Sequence, residues 1–129
     1  MATLLGNWFA NAALSDYFVN KPVWLALHLT DPGATGDAST EFGGGNYARQ
    51  RIYFGNPATG GAANKAILNN SSVTFSNLLA ATITYFGFWN SVSATNTGFL
   101  CSYQLSPALA VTASSQVLVG PNDIAIVLV

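Results

Sequence analysis

His28 is the only histidine in 129 residues, and so the only side chain with an ordinary pKa near neutrality. A nucleophile–His–acid arrangement would use it as the base. Serines and aspartates are too frequent here for any spacing to mark two of them as its partners. His28 sits inside Val23-Trp24-Leu25-Ala26-Leu27-His28-Leu29, which alternates as a strand does. It reads as a packed or solvent-facing strand histidine. As a metal ligand it has no second His and no Cys at metal spacing. Three of the five acids, Asp31, Asp37 and Glu41, fall in one loop. Calcium needs six or more oxygens, and these three do not follow the alternate-position spacing of an EF-hand loop. They read as solvated loop charge. No two carboxylates are placed to face each other across a cleft, as glycoside hydrolysis requires. Gly43-Gly44-Gly45-Asn46 lacks the Gly-Lys-Ser/Thr ending of a phosphate loop. The expectation is a protein with no catalytic residue, no cofactor and no metal.

The remaining reactive or adhesive side chains are few. Cys101 is the sole cysteine, so no intrachain disulfide and no Cys-based zinc site is available. It reads as a small core residue, or as one half of a disulfide between copies. Trp8, Trp24 and Trp89 lie in strongly apolar contexts and read as core anchors, with a sugar-stacking platform as their other use. Arg49 and Arg51 share a face if their segment is a strand. Two charges make no nucleic-acid footprint, and the net charge of −1 supplies no steering field.

Charge is scarce throughout. Only 7% of the residues are Asp, Glu, Lys or Arg, against roughly 25% in an average soluble domain. Asn, Ser, Thr, Gly and Ala take their place. Neutral groups lose less hydration than ions when covered, so this exterior suits a protein pressed against copies of itself or a partner. No basic n-region precedes an apolar run at the start, and no apolar run reaches the roughly 18 residues that a membrane span requires. Synthesis in a host cytoplasm is expected, with no membrane partner and no nucleic acid.

The elements that must position these residues are short. Leu4, Leu5, Trp8, Phe9, Ala12 and Ala13 recur at three- and four-residue intervals and predict a helix, capped by Thr3 and ending between Ser15 and Asn20. Asn7 and Asn11 lie toward its other face. It packs over a sheet edge or barrel mouth, or it docks as an arm on a neighbour. Strands are predicted at 23–29, 47–54, 66–69, 72–76, 82–89, 98–105, 115–119 and 123–129. Gly87 inside the 82–89 strand marks a bulge or a close backbone crossing. The third strand would put Ala66–Asn69 ahead of an Asn69-Asn70 turn, and the 98–105 strand ends before Pro107. Residues 31–46 form a long Gly-rich loop, and loops of that length usually serve a contact. With no helix-length pattern between strands, the chain is expected to be mainly β: an antiparallel β-sandwich or jelly-roll-like barrel of about eight short strands behind one N-terminal helix. The expected division is an arm at 1–20 and one β-sandwich domain at 21–129.

The order of features resembles a known group. Leu27-His28-Leu29-Thr30-Asp31-Pro32 ends a Leu-rich strand, and Gly44-Gly45-Asn46-Tyr47-Ala48-Arg49 closes the Gly-rich loop. Val73-Thr74-Phe75 follows an Asn-rich turn, then Ile83-Thr84-Tyr85-Phe86-Gly87-Phe88-Trp89-Asn90, and a Leu105-Ser106-Pro107-Ala108-Leu109-Ala110-Val111 stretch precedes the last strand. This is similar to small tailed-bacteriophage virion structural proteins, known as head-decoration (cement) or tail-fibre proteins. The resemblance implies a virion component without enzymatic residues. The reading adopted is a capsid cement protein on the capsid exterior, binding the assembled shell and bridging its subunits. Its partners would be the major capsid protein and copies of itself, as a homodimer or homotrimer. The alternative is a tail, baseplate or fibre component with host-glycan recognition. Candidate contact residues are Trp8, Phe9, Asp31, Asp37, Glu41, Phe42, Gly44, Asn46, Tyr47, Arg49 and Arg51.

Overall fold

The computed structural model describes residues 5–57, 64–93 and 96–128. The chain is mainly β. One N-terminal helix precedes eight strands: α1 (Asn7–Leu14), β1 (Val23–His28), β2 (Gln50–Ile52), β3 (Ala66–Leu68), β4 (Val73–Leu78), β5 (Ala81–Trp89), β6 (Phe99–Val111), β7 (Ser115–Val119) and β8 (Ala125–Val127). Every pairing with a recorded register is antiparallel. Among the described residues no sheet closes on itself into a barrel. Two compact units share the chain. One gathers residues 1–22, 52–72 and 119–129, the other residues 23–51 and 73–118. The helix belongs to the unit that also holds two later segments.

In the first unit, α1 starts at Gly6 with no side-chain cap, and the expected cap Thr3 lies outside the described residues. A π-helical turn, Ser15–Val19, extends it. The helix buries only Ala10 and Leu14, one turn apart. Asn11, expected on the free face, instead pins the helix down. Its amide donates to Asn64 Oδ1 at 3.0 Å, and its Oδ1 accepts from the Lys65 N–H at 2.7 Å. β3 pairs with β8. The fully buried Asn69 side chain ties their ends together. It donates to the Ser71 and Gly120 carbonyls and accepts from the Ile124 N–H. A buried amide must find such partners or forfeit its hydration uncompensated.

The second unit holds a four-stranded sheet in the order β2-β1-β5-β6, and the pair β4-β7. β1 and β5 form its centre, with Trp24 opposite Trp89 and His28 opposite Tyr85. Val23, Leu25, Ala26, Leu27 and His28 are all buried, so both faces of β1 are covered rather than one. In β4 the alternation slips after Ser76, where Asn77 takes a left-handed φ of 52° and Leu78 turns inward. The 47–54 strand shrinks to Gln50–Ile52, and Tyr47 and Arg49 leave the strand for a buried cluster. β6 runs straight through Pro107 to Val111 instead of ending before it. Residues 105–108 oppose the single residue Thr84, and an edge-strand bulge accommodates a residue with no N–H to donate.

Candidate functional site

Two places gather side chains with chemistry: a buried polar cluster in the second unit and an open aromatic surface in the first. The cluster begins where residues 40–42 lie along β1. The Leu29 N–H donates to the Thr40 carbonyl and the Phe42 N–H to the Leu27 carbonyl, both at 2.8 Å, so His28 and Glu41 form a bridge. His28 is fully buried. Trp89 Nε1–H donates to His28 Nε2 at 3.3 Å. An indole N–H only donates, so Nε2 carries no proton and Nδ1 does. Nδ1–H then donates to Thr40 Oγ1 at 2.9 Å, and the Thr40 hydroxyl donates to the Asp37 carbonyl at 2.8 Å. Every link points one way. Burial is the largest influence on the imidazole and holds its pKa below the ordinary 6.5. Glu41 pulls upward, Arg49 downward and Asp37 weakly upward. Gly87 lies opposite Ala26 beneath this chain. A Cβ there would fall on the imidazole, which explains the glycine as a close approach.

Beside the histidine lies a buried ion pair. Arg49 Nη2 reaches Glu41 Oε1 at 2.8 Å and Arg49 Nε reaches Oε2 at 3.0 Å, a two-pronged contact. Arg49 Nη1 donates to the Ser91 carbonyl at 2.9 Å, and the guanidinium lies 4.1 Å from the Trp89 ring centroid. The Tyr47 hydroxyl donates a short hydrogen bond to Glu41 Oε2 and accepts from the Leu27 N–H at 3.1 Å. Burial, and then the bond to Glu41, raise the Tyr47 pKa far above its ordinary value. The Tyr47 ring stacks on Phe75 at 5.9 Å and leans on Phe42 at 5.3 Å. With every charge paired and the imidazole neutral, this arrangement locks a loop to a sheet. It presents no free nucleophile to an open cleft. Among the described residues no group of three or more His, Cys, Asp and Glu is placed to hold a metal ion.

The second place is the outer face of α1. Trp8 is 81% exposed and Phe9 56%. The expectation that Trp8 anchors the core does not hold, because the helix turns its small residue Ala10 inward and its two largest rings outward. Trp89 is fully buried and Trp24 half-buried. Trp8, Asn11, Ala12, Ser15, Asn56 and Pro57 line a pocket of about 320 Å3. Asn11 spends its amide on residues 64 and 65, so polar reach into this pocket comes from Ser15 and Asn56.

A family model described as Podophage GP4 fiber I protein gp80 matches residues 1–126. The chain belongs to that family. It is a phage virion structural protein of fibre type, located in the virion. No curated protein and no solved structure matches it. Membership of the fiber I family favours the tail-fibre alternative over a capsid cement.

Against that identity the candidate contact residues divide. Trp8, Phe9, Asp31, Asp37, Gly44 and Asn46 lie at the surface of this fibre-type protein, and Arg51 is half-buried. Glu41, Phe42 and Arg49 are buried, and Tyr47 turns its hydroxyl into the same cluster. The long loop is stitched down rather than free, and residues 38–40 within it form a 3-10 turn capped by the Asp37 side chain. Asp37 also bonds the Ser39 hydroxyl, and these two bonds to Ser39 lower its pKa. Thr40 and Trp89 complete the cluster: Trp89 was expected only as a core anchor or stacking platform, and Thr40 was not singled out by sequence. Their signal was a chain of donors that only the fold assembles. Cys101 is half-buried as a free thiol, and burial pushes its pKa up to about 11.

Proposed function

We propose that this protein is a tail-fibre component that works by binding rather than catalysis, and that its contact with the host is a surface glycan held at the outer face of α1. One observation carries the reading: the 81% exposed Trp8 stands over a pocket whose other walls are two amides, a hydroxyl, an alanine and a proline. A pyranose ring offers an apolar face to an indole and hydroxyls to Asn56 and Ser15. Small-ligand sites combine aromatic walls with a few placed polar groups in this way. Family membership over residues 1–126 supports the fibre assignment. The scarcity of charge favours a second reading, a cement on the capsid exterior that contacts the major capsid protein. Gold-labelled antibody against this protein, imaged on intact virions, separates the two. Label at the tail supports the proposal, and label spread over the head refutes it. A glycan array with the full chain tests the ligand. Trp8→Ala should abolish binding by at least tenfold while leaving stability within about 0.5 kcal/mol, since the ring is largely solvated. An array with no positive, or one unchanged by Trp8→Ala, refutes glycan recognition at this site.

A further inference from the structure

We infer, resting on the glycan reading above, that the site at α1 takes a single uncharged pyranose unit through two adjacent hydroxyls, and that Asn56 sets this preference. The pocket is small. Its volume of about 320 Å3 lies at the lower end of the roughly 300–1,000 Å3 range of small-molecule sites. It also offers one stacking platform. Phe9 follows Trp8 in the helix, so it leaves roughly 100° further around the axis and is no wall of the pocket. Tyr17, the third exposed ring of this segment, already carries the Lys21 ammonium 4.4 Å from its centroid. Among the described residues, a chain of sugars laid along the helix would find no second aromatic face on the Trp8 side.

The polar groups decide the chemistry. Asn11 has spent both ends of its amide, on Asn64 and on the Lys65 N–H. Ser15 and Asn56 remain as the polar walls. A primary amide holds a donor and an acceptor side by side. Two adjacent hydroxyls, each able to donate and to accept, match that pair at once. A carboxylate, as on a uronic or sialic acid, only accepts. It would take the Asn56 N–H and leave the Asn56 carbonyl oxygen facing an anion. No wall offers a compensating cation. None of the six lining residues is ionisable, and residues 58–63, which follow Pro57 in the chain, include no ionisable side chain either. Lys21 is held over Tyr17, and the exposed residue next to Ser15 is the acidic Asp16. Covering an ion without a partner costs far more than covering a hydroxyl whose hydrogen bonds are met.

An array of neutral-terminated glycans beside their uronate- and sialate-terminated counterparts, probed with the full chain, reads the choice. Positives should be confined to the uncharged termini. The methyl glycoside of the best terminal sugar should bind within about threefold of its parent oligosaccharide. Affinity should change less than about twofold between about 0.05 M and about 0.5 M NaCl, since no ion pair is there to be screened. Asn56→Leu, close in size but without the amide, should weaken binding at least about tenfold. Asn56 is exposed, so that variant should keep the circular dichroism spectrum of the unmodified chain. Tighter binding to acidic termini overturns the inference and leaves glycan recognition at Trp8 standing. So does a loss of about tenfold or more across that salt range, an oligosaccharide about tenfold tighter than its terminal glycoside, or full affinity in Asn56→Leu. An array without positives, or positives indifferent to Trp8→Ala, overturns the glycan reading and this inference together.

Discussion

Mild acidification should destabilise this protein through His28, the only histidine in the sequence. The side chain is fully buried and its two nitrogens are already committed, Nε2 as acceptor from Trp89 and Nδ1 as donor to Thr40. Protonation would set an N–H at Nε2 against the indole N–H and strand one donor. The folded state therefore resists the proton, and its imidazole pKa lies below 6.5. Above 6.5 both folded and unfolded chains hold a neutral imidazole, and stability is complete. As pH falls below 6.5 the unfolded chain takes a proton that the folded chain refuses. Stability then drops, by up to about 1.4 kcal/mol per pH unit for one proton, until the folded imidazole also titrates. The sequence has no second histidine to titrate beside it. Urea midpoints measured from about pH 7.5 down to about pH 5 read this slope at constant m-value. His28→Gln keeps an acceptor for Trp89 and removes the titration, so its curve should be flat across the window although lower overall. A slope that persists in His28→Gln, or a wild-type chain that gains stability on acidification, would defeat the tautomer assignment.

Two further substitutions test the neighbouring contacts. Arg49→Met leaves the Glu41 carboxylate buried without its cation and should cost about 3–5 kcal/mol; adding Glu41→Gln should recover much of that loss in a urea-denaturation double-mutant cycle. Gly87→Ala places a methyl against the His28 imidazole and 2.9 Å from Trp89 Nε1; overpacking there should cost about 1–3 kcal/mol by thermal unfolding.

Strand identity was readable where β-branched and aromatic residues run together, as in β5, and where turn residues bracket a short apolar run, as in β7. The failures share a cause. Tyr47 and Arg49 alternate with their neighbours as a strand would, yet the buried Glu41 carboxylate draws both out of line. An ion pair eight residues apart has no period, so no pattern announces it. The helix stripe was read by hydrophobicity, which sends Trp8 and Phe9 inward. The fold instead seats the small Ala10 and lets Asn11 spend its amide on residues 64 and 65. Pro107 was read as a stop because it cannot donate, but an edge strand has no second neighbour awaiting that donor. The acids of the 31–46 loop looked alike by sequence. Only the fold separates Asp31, whose carboxylate caps Gly33 at the surface, from Glu41, which is sealed inside.

The buried pair also sharpens the argument from composition. The chain carries nine charged side chains, four basic and five acidic, and Glu41 and Arg49 take two of them out of solvent. Removing one of each sign leaves the net charge unchanged and the exterior poorer in ions than the sequence implies. Replacing such a pair with apolar residues is often neutral or stabilising, so stability alone does not account for spending scarce charge inside. What the pair does supply is direction: a fork that fits one carboxylate, anchored to the Ser91 carbonyl and the Trp89 ring, fixes one register of residues 40–42 along β1. A neutral sheet has few other means of rejecting a shifted register. The loop along β1 is thus specified by ions held indoors, where the sheet itself offers almost none.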